Sequence, residues 1–300
     1  MSEQATPNLP AEAQERIVRE DFGWIELSDQ VLIEVTGEDR QDWLQGQVTN
    51  DLRILTPDRP IDACLCTPTG QLLAILRLWD YDGRIFIATH RDAAEAVLAR
   101  VEQMVIMEDV EAKRLNQQIV TIQGPNASSV AQDVGLLLPS DRLGFGGFDV
   151  AAETTSSIDL SDDHRFDHDL WRALQLANGV PIFGIDTNPK TLPPELGPAF
   201  IATHISYNKG CYTGQEVIAR IESRGHTNQT WRALLCNRPL QTGETLSHPD
   251  KEQAGVVTSA GWLPSLGYFA GAMVRNEVKV GDQVSMSDGT TAFVKDFPIF

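Results

Sequence analysis

The sequence has few of the features on which secreted proteins, membrane-spanning proteins and proteins that bind nucleic acid over a wide surface depend. It has 4 cysteines in 300 residues and no CxxC pair, which argues against a scaffold built on disulfides. No apolar run approaches the roughly 20 residues needed to cross a bilayer. The N-terminal stretch lacks both the apolar core of a signal peptide and the arginines of a transit peptide. A cytoplasmic protein with no membrane partner is therefore expected.

Basic residues are also few. The chain has 24 Lys and Arg against 42 Asp and Glu, which gives a formal charge of −18. A protein that grips nucleic acid over a wide surface neutralises many phosphates with basic side chains. No direct nucleic-acid partner is expected on this ground, although a local basic pocket stays compatible with the composition.

The order of predicted elements indicates an α+β protein with two parts. Helices and hairpins are mixed in the first part, including an amphipathic helix over Asp92–Met104 and another over Asp169–Ala177. Short strands separated by turn residues follow to the end, which predicts a small C-terminal antiparallel β-barrel. The expected divisions are a flexible arm over 1–20, a body over 21–227 with subdomains 21–123 and 124–227, and the barrel over 228–300.

The segment Lys209-Gly210-Cys211-Tyr212-Thr213-Gly214-Gln215-Glu216 has the composition of a functional site. Its two glycines suggest backbone that turns or approaches a neighbour closely. Cys211 follows a lysine, and a nearby ammonium favours the reactive thiolate. Apolar residues at helical spacing follow Gln215, so these polar residues are predicted at a helix N-terminus, where N–H groups favour anionic ligand groups.

Several of these residues also have plainer interpretations. Cys211 is equally consistent with a small buried side chain, the usual state of a free cysteine. Glu216 and Arg220 lie four apart on the predicted helix and are consistent with a surface ion pair.

The remaining candidates for metal ligands have plainer interpretations too. Cys64 and Cys66 alternate on a strand, and packing is favoured over metal binding because no recognised ligand spacing is present. His164 and His168 could chelate a metal if helical, but a solvated loop is favoured. No permanent metal is expected.

The signature segment, with Ala219-Arg220 and Arg224-Gly225 behind it, resembles that of the YgfZ family of folate-binding proteins. This family is related to the aminomethyltransferase of the glycine cleavage system and includes mitochondrial iron–sulfur assembly factors. The resemblance covers the chain from about residue 22. Other stretches that resemble family blocks are Thr36–Asp39, Leu44–Asp51, Thr67–Leu72, Trp171–Leu174, Gly179–Pro181 and Gly255–Ser259.

The resemblance implies an aminomethyltransferase-like body of ring-like subdomains around a funnel that binds tetrahydrofolate. A carboxylate can accept two hydrogen bonds from the pterin, and Glu195 of Pro193-Pro194-Glu195 occupies the matching place. Lys209, Arg220 and Arg224 are the candidates to receive the glutamate carboxylates of folate. The implied ligand-binding residues are Glu195, Lys209, Tyr212, Gln215, Arg220 and Arg224, with Cys211 as the functional thiol.

One departure from the related transferases bears on the chemistry. They carry a pair of aspartates where this chain has Ala74 and Ile75, and neither residue can move a proton. The resemblance therefore implies a folate-binding accessory protein for assembly or repair of iron–sulfur enzymes, including those that modify tRNA. Two alternatives stay open: a tetrahydrofolate-dependent one-carbon transferase that uses another base, and a scaffold with a vestigial pocket.

Overall fold

In a computed structural model of the chain, the described residues are 9–130, 135–155 and 158–300, without the side chain of Arg224. The helices are α1 (Ala11–Glu20), α2 (Arg40–Gln45), α3 (Ala94–Met104), α4 (His168–Ala177), α5 (Pro198–His204) and α6 (Gln215–Arg224). The first strands are β1 (Gly23–Glu26), β2 (Gln30–Thr36), β3 (Ile61–Cys66), β4 (Leu72–Tyr81), β5 (Arg84–His90), β6 (Glu111–Arg114), β7 (Gln118–Gln123), β8 (Leu136–Pro139) and β9 (Gly147–Ala152). The last are β10 (Gln229–Cys236), β11 (Thr245–His248), β12 (Lys251–Leu263), β13 (Gly267–Arg275), β14 (Gln283–Ser285) and β15 (Thr291–Lys295). No helix among these described residues is long and apolar enough to cross a membrane.

The first sheet has five strands in the order β3-β4-β5-β2-β6. Along β4, buried and half-buried residues alternate, as expected when successive side chains point to opposite faces. Ala74 and Leu76 face the apolar cluster that includes Val97 and Val101 of α3. On the opposite face of β4, Leu72 and Trp79 belong to a second core cluster, and Ile75 and Arg77 line a cavity.

The second sheet has four strands in the order β1-β7-β9-β8. The predicted division of the body after residue 123 is wrong for the sheets, because β7, which precedes the boundary, pairs with β9, which follows it, in a sheet that β1 also joins. This pairing joins segments far apart in sequence, and local residue patterns carry no information about it.

The C-terminal barrel is confirmed as a closed antiparallel barrel in the order β10-β13-β12-β11-β14-β15. Strand β10 pairs with both β13 and β15, which closes the ring. Closure leaves no unpaired strand edge, a feature that otherwise invites association with other chains. With the mixed body, the barrel confirms the predicted α+β class.

A buried carboxylate fastens the barrel to the body. Asp186 is 2% exposed and accepts hydrogen bonds from the hydroxyls of Thr258 (2.5 Å) and Ser259 (2.7 Å) on β12 and from the Ile182 N–H (2.8 Å). Burial raises the pKa of Asp186. The barrel thus fixes the loop after α4, whose residues line the central cavity described below.

Residues 1–8 of the predicted flexible arm lie outside the described part of the chain. Residues 11–20 differ from the prediction, because they form α1, in which Gln14, Glu15 and Val18 are buried. The Glu15 carboxylate accepts hydrogen bonds from the backbone N–H (3.1 Å) and the hydroxyl of Ser265 in the barrel. Gln14 accepts one from the Asp167 N–H before α4 (2.9 Å). The arm prediction failed because it weighed the polar composition without the partners that satisfy these polar groups.

We expect Glu15→Ala to lower the free energy of unfolding by about 1–3 kcal/mol, because the hydrogen bonds that the buried Glu15 carboxylate accepts from Ser265 are lost. Chemical denaturation measures the change. Glu20→Ala on the same helix is the matched control, since Glu20 is exposed and its contact with Arg16 is long at 3.9 Å. Equal effects of the two substitutions would contradict a structural role for α1.

Candidate functional site

The signature segment 209–216 forms a loop that leads directly into α6. Gly214 precedes the helix with φ of +88°, and a Cβ there would lie 2.6 Å from the Thr67 carbonyl oxygen. Both the backbone angle and the close approach thus require glycine, as predicted. Gly210 differs, because a Cβ added there would have no neighbouring atom within 4 Å, so the prediction of a close approach is wrong at that position.

Lys209 is a structural clamp. Its ammonium donates to the carbonyl oxygens of Gln45 (2.6 Å), Val48 (2.6 Å) and Asn50 (2.8 Å), in the loop that follows α2. The side chain is 6% exposed, and burial lowers its pKa to about 8. All three N–H bonds are used inside the protein. The predictions that Lys209 receives folate carboxylates or is free to activate the thiol are therefore wrong.

Two further contacts hold the loop. The Thr213 N–H donates to the Gly46 carbonyl at 3.2 Å. Tyr212 is buried, belongs to the core cluster that contains Cys66 and Leu72, and lies with its ring 5.1 Å from the Lys209 ammonium. Burial raises the pKa of the Tyr212 phenol. The structure therefore places Tyr212, one of the implied ligand-binding residues, in the core.

Cys211 is the exposed cysteine of the chain. Cys64 and Cys66 are buried, as the packing interpretation predicted, and burial raises the pKa of Cys66 to about 12. Cys236 is half-buried, and burial also raises its pKa. The buried alternative for Cys211 is thus wrong. Lys209 and Tyr212 anchor the loop on either side of a thiol that reaches solvent.

Glu216 and Arg220 of α6 face outward. Arg220 pairs with Glu216 at 2.6 Å, and both side chains are largely exposed, at 68% and 83%. This confirms the surface-pair interpretation. The half-buried Gln215 begins the helix, and its N–H donates to the Tyr212 carbonyl at 3.2 Å. The side chain of Arg224, also predicted to bind ligand, lies outside the described residues.

Glu195 lies in a short 3₁₀ turn, Pro193–Leu196, and is 9% exposed. One of its carboxylate oxygens accepts a hydrogen bond from the Leu192 N–H at 2.9 Å. This bond closes the turn that precedes α5. At least half of the Glu195 carboxylate therefore serves the local backbone.

A cavity of about 360 Å³ lies between the first sheet, the loop after α4 and the helix α5. Ile75, the residue in place of a transferase aspartate, faces into it from β4. Other lining residues include Asp62, Arg77, His90, Arg142, Gln175, Asn178, Val180, Phe183, Ala199, Phe200, Thr203 and His204. Of the predicted site residues whose side chains are described, none is among those lining this cavity.

An ion pair forms part of the cavity wall. Arg77 donates through Nε and Nη2 to the two carboxylate oxygens of Asp62, at 2.6 and 2.7 Å. Burial opposes ionisation of Asp62, but the Arg77 charge outweighs it and lowers the pKa to about 2. Arg77 also donates to the Ser140 hydroxyl at 2.9 Å, which ties the first sheet to the second. Each Asp62 oxygen keeps a lone pair for a further donor.

His204 adds a neutral imidazole. Burial lowers its pKa to about 4, so the ring is uncharged at neutral pH. The ring stacks on Phe200 with a centroid distance of 3.7 Å, and Nδ1 lies 2.8 Å from the Thr203 hydroxyl. Sequence reasoning missed this group. The available signal was the one-turn spacing of Ala199, Phe200, Thr203 and His204, which puts them on one stripe of α5.

Among the described residues, no group of three or more His, Cys, Asp or Glu side chains is arranged to hold a metal ion.

The chain resembles known proteins both in sequence and in fold. No family model matches the chain. The tRNA-modifying protein YgfZ of Hamiltonella defensa is 30% identical over 267 residues, which cover 80% of this chain and 79% of that protein. The YgfZ of Yersinia enterocolitica is 26% identical over 92% of this chain and 91% of its own length. The crystal structure of glycine cleavage system aminomethyltransferase T from Bartonella henselae is 21% identical and superposes with a TM-score of 0.84, covering 98% and 90% of the two chains. That likeness shows the fold.

We expect Lys209→Met to lower the free energy of unfolding by roughly 3 kcal/mol or more. Three carbonyl oxygens lose their donor, and each buried unsatisfied polar group costs about 1–3 kcal/mol. Denaturant titration measures the loss, with the exposed Lys190→Met as a matched control. Unchanged stability together with weaker ligand binding would instead restore Lys209 to the ligand site.

Proposed function

The chain belongs to the YgfZ family, and from that premise we propose that it is a tetrahydrofolate-binding accessory protein for the assembly or repair of iron–sulfur enzymes, including those that modify tRNA. The observation that carries the proposal is the central cavity of an aminomethyltransferase fold, in which Ile75 stands in place of a proton-transferring acid. The same chain presents the exposed thiol of Cys211. The YgfZ relatives are named as tRNA-modifying proteins.

The cavity suits a flat heterocycle with a polar edge. Its volume of about 360 Å³ falls in the range of small-molecule sites, roughly 300–1,000 Å³. Ile75, Phe183 and Phe200 supply apolar surface for ring faces, while Asp62 and His204 offer acceptors at the wall. A carboxylate that still has lone pairs can accept from the N–H groups of a pterin. Tetrahydrofolate, when bound, would bring its own one-carbon chemistry.

The place of the missing aspartates argues against aminomethyl transfer. Ala74 is fully buried and faces the core side of β4, so only position 75 faces the cavity. Isoleucine there can neither accept a proton nor stabilise a developing positive charge. The chain's residues can thus bind and orient the ligand without supplying the transferase acid.

The second candidate function is a tetrahydrofolate-dependent one-carbon transferase that uses a different base. The observation in its favour is His204, whose neutral imidazole lines the same cavity. Its unprotonated ring nitrogen can accept a proton, although the lowered pKa makes it a weaker base than an ordinary histidine. Turnover of a methyl, formyl or aminomethyl donor by the purified protein, abolished in His204→Gln, would favour this candidate over the accessory role.

The thiol supports a role toward other proteins. Cys211 is exposed on an anchored loop outside the described lining of the cavity, so a client protein can reach it while the cavity is occupied. An accessory factor needs a reactive group that is presented to a partner, whereas a catalytic nucleophile lies beside its substrate.

We expect isothermal titration calorimetry to show that tetrahydrofolate binds the wild-type protein, and that Thr203→Trp weakens binding at least tenfold, or about 1.4 kcal/mol. Thr203 lines the cavity from α5, so the larger side chain fills it. The neighbouring Ala202→Trp is the control, because Ala202 is exposed on the same helix and is not part of the described lining. Absence of heat with the wild type would favour the scaffold alternative and overturn the proposal.

We expect Cys211→Ala to keep the fold and the tetrahydrofolate affinity but to lose activity in complementation of an iron–sulfur enzyme defect. The reason is that the thiol is exposed and contributes nothing to the core. Cys236→Ala, which removes a half-buried thiol of the barrel, should retain activity. Full rescue by the Cys211 variant would contradict a functional thiol.

A further inference from the structure

A groove of about 660 Å³ lies at one end of the barrel, where the entry to β10, the start of β12 and the turn after β13 meet. We call it the basic groove and define it by its described lining. That lining consists of His226, Thr227, Asn228, Thr230, Arg232, Lys251, Arg275, Asn276, Glu277 and Lys279.

Positive charge dominates this groove. Four of its residues are Lys or Arg, and Glu277 is the one acid in the described lining. Lys251 pairs with Glu277 at 2.8 Å, and Arg232 pairs with Asp296, outside the lining, at 2.5 Å. Arg275 and Lys279 form no ion pair among the described residues. The pKa of Glu277 is lowered by its Lys251 partner and, to a smaller extent, by the charge of Arg275, so this one acid faces two cations.

The cationic groups also keep unused donors. The Arg275 side chain has no hydrogen-bond partner in the described part of the chain. Lys279 donates to the Asn276 carbonyl at 2.5 Å and retains two further N–H bonds. The Nε of Arg232 is buried and has no partner. Thr227 and Asn228 lie beside these groups. The groove can therefore donate several hydrogen bonds to an anion.

The local charge stands out against a chain of formal charge −18. At physiological ionic strength, exposed charges more than about 8 Å apart are largely screened. An anion in the groove therefore responds mainly to the groove's own cations and less to the acidic surface elsewhere. A short anionic segment is compatible with this setting, whereas a long strand would run onto acidic surface.

We infer that the basic groove binds a short stretch of RNA backbone through its phosphates. No apolar side chain and no Phe, Tyr or Trp is part of the described lining, so the groove offers no anchor for the apolar side chains of a peptide. His226 supplies the aromatic ring of this lining. Phosphodiesters carry one charge per nucleotide, and their binding is driven by release of counterions, which needs only cations and donors. Recognition of this kind positions a strand without reading its sequence.

The groove lies near the thiol loop, and this position connects it to the proposed function. The choice of RNA as the ligand rests in part on that function. Helix α6 runs from the Cys211 loop to Arg224, two residues before His226. At 1.5 Å per residue, the thiol loop and the groove lie about 15 Å apart along this helix. A tRNA held by a client enzyme could thus contact the groove while the enzyme faces the thiol. The overall acidity predicted no such contact, because net charge does not report a local cluster.

The test is fluorescence anisotropy with a labelled short single-stranded RNA of mixed sequence, added to the full chain over a range of salt concentrations. We expect binding that weakens with salt, and Arg275→Gln/Lys279→Gln to lower the slope of log affinity against log salt by about 1.4, since each phosphate contact on a single strand contributes about 0.7. Both residues are exposed, and thermal melting checks that the variant stays folded.

Arg59→Gln/Lys190→Gln is the matched control, because it removes the same charge from exposed residues of the body and should leave RNA binding unchanged. A polyglutamate peptide of equal charge should bind at least tenfold more weakly than the RNA. The inference is overturned if the wild type does not bind at low salt, if both double variants bind alike, or if the peptide matches the RNA. Tetrahydrofolate titration of the same samples is independent of these outcomes, so failure of the groove and failure of the proposed function are separately visible.

Discussion

The buried ammonium of Lys209 is the interaction on which the arrangement of the signature loop depends. It joins the start of this loop to the carbonyls of Gln45, Val48 and Asn50, in a different part of the chain. A charged amine is stable in such a place only because three carbonyl dipoles replace its water. With Lys209 fixed and Tyr212 in the core, the backbone between them has little freedom, and Cys211 is presented to solvent.

The structure separates two functions that the sequence suggested were one. The central cavity is built from β4, the loop after α4 and the helix α5, whereas the thiol belongs to the loop before α6. Asp186 holds the cavity loop to the barrel, and Arg77 ties the two sheets together at the cavity wall. The cavity and the thiol are therefore held by the same framework of hydrogen bonds and sheets without sharing residues.

Local sequence patterns predicted the elements whose conformation depends on residues close together in the chain. The strands of the barrel, α3, α4 and the left-handed Gly214 all follow from side-chain periodicity or turn chemistry. Partners distant in sequence escaped prediction. The pairing of β1 with β7, the burial of Glu15 against Ser265 and the role of Lys209 each depend on groups contributed from elsewhere. The cavity residue His204 escaped for the same reason, since its environment lowers its pKa and the sequence does not show that environment.

The central claim is that the cavity beside Ile75 holds the folate while Cys211 stays outside it. A crystal structure of the protein with bound tetrahydrofolate tests this most directly. The account predicts the pterin in contact with Ile75, Thr203 and His204, the Lys209 ammonium still on its three carbonyls, and the Cys211 thiol open to solvent. Density for the ligand against Cys211 or Lys209, with the cavity beside Ile75 empty, would contradict it.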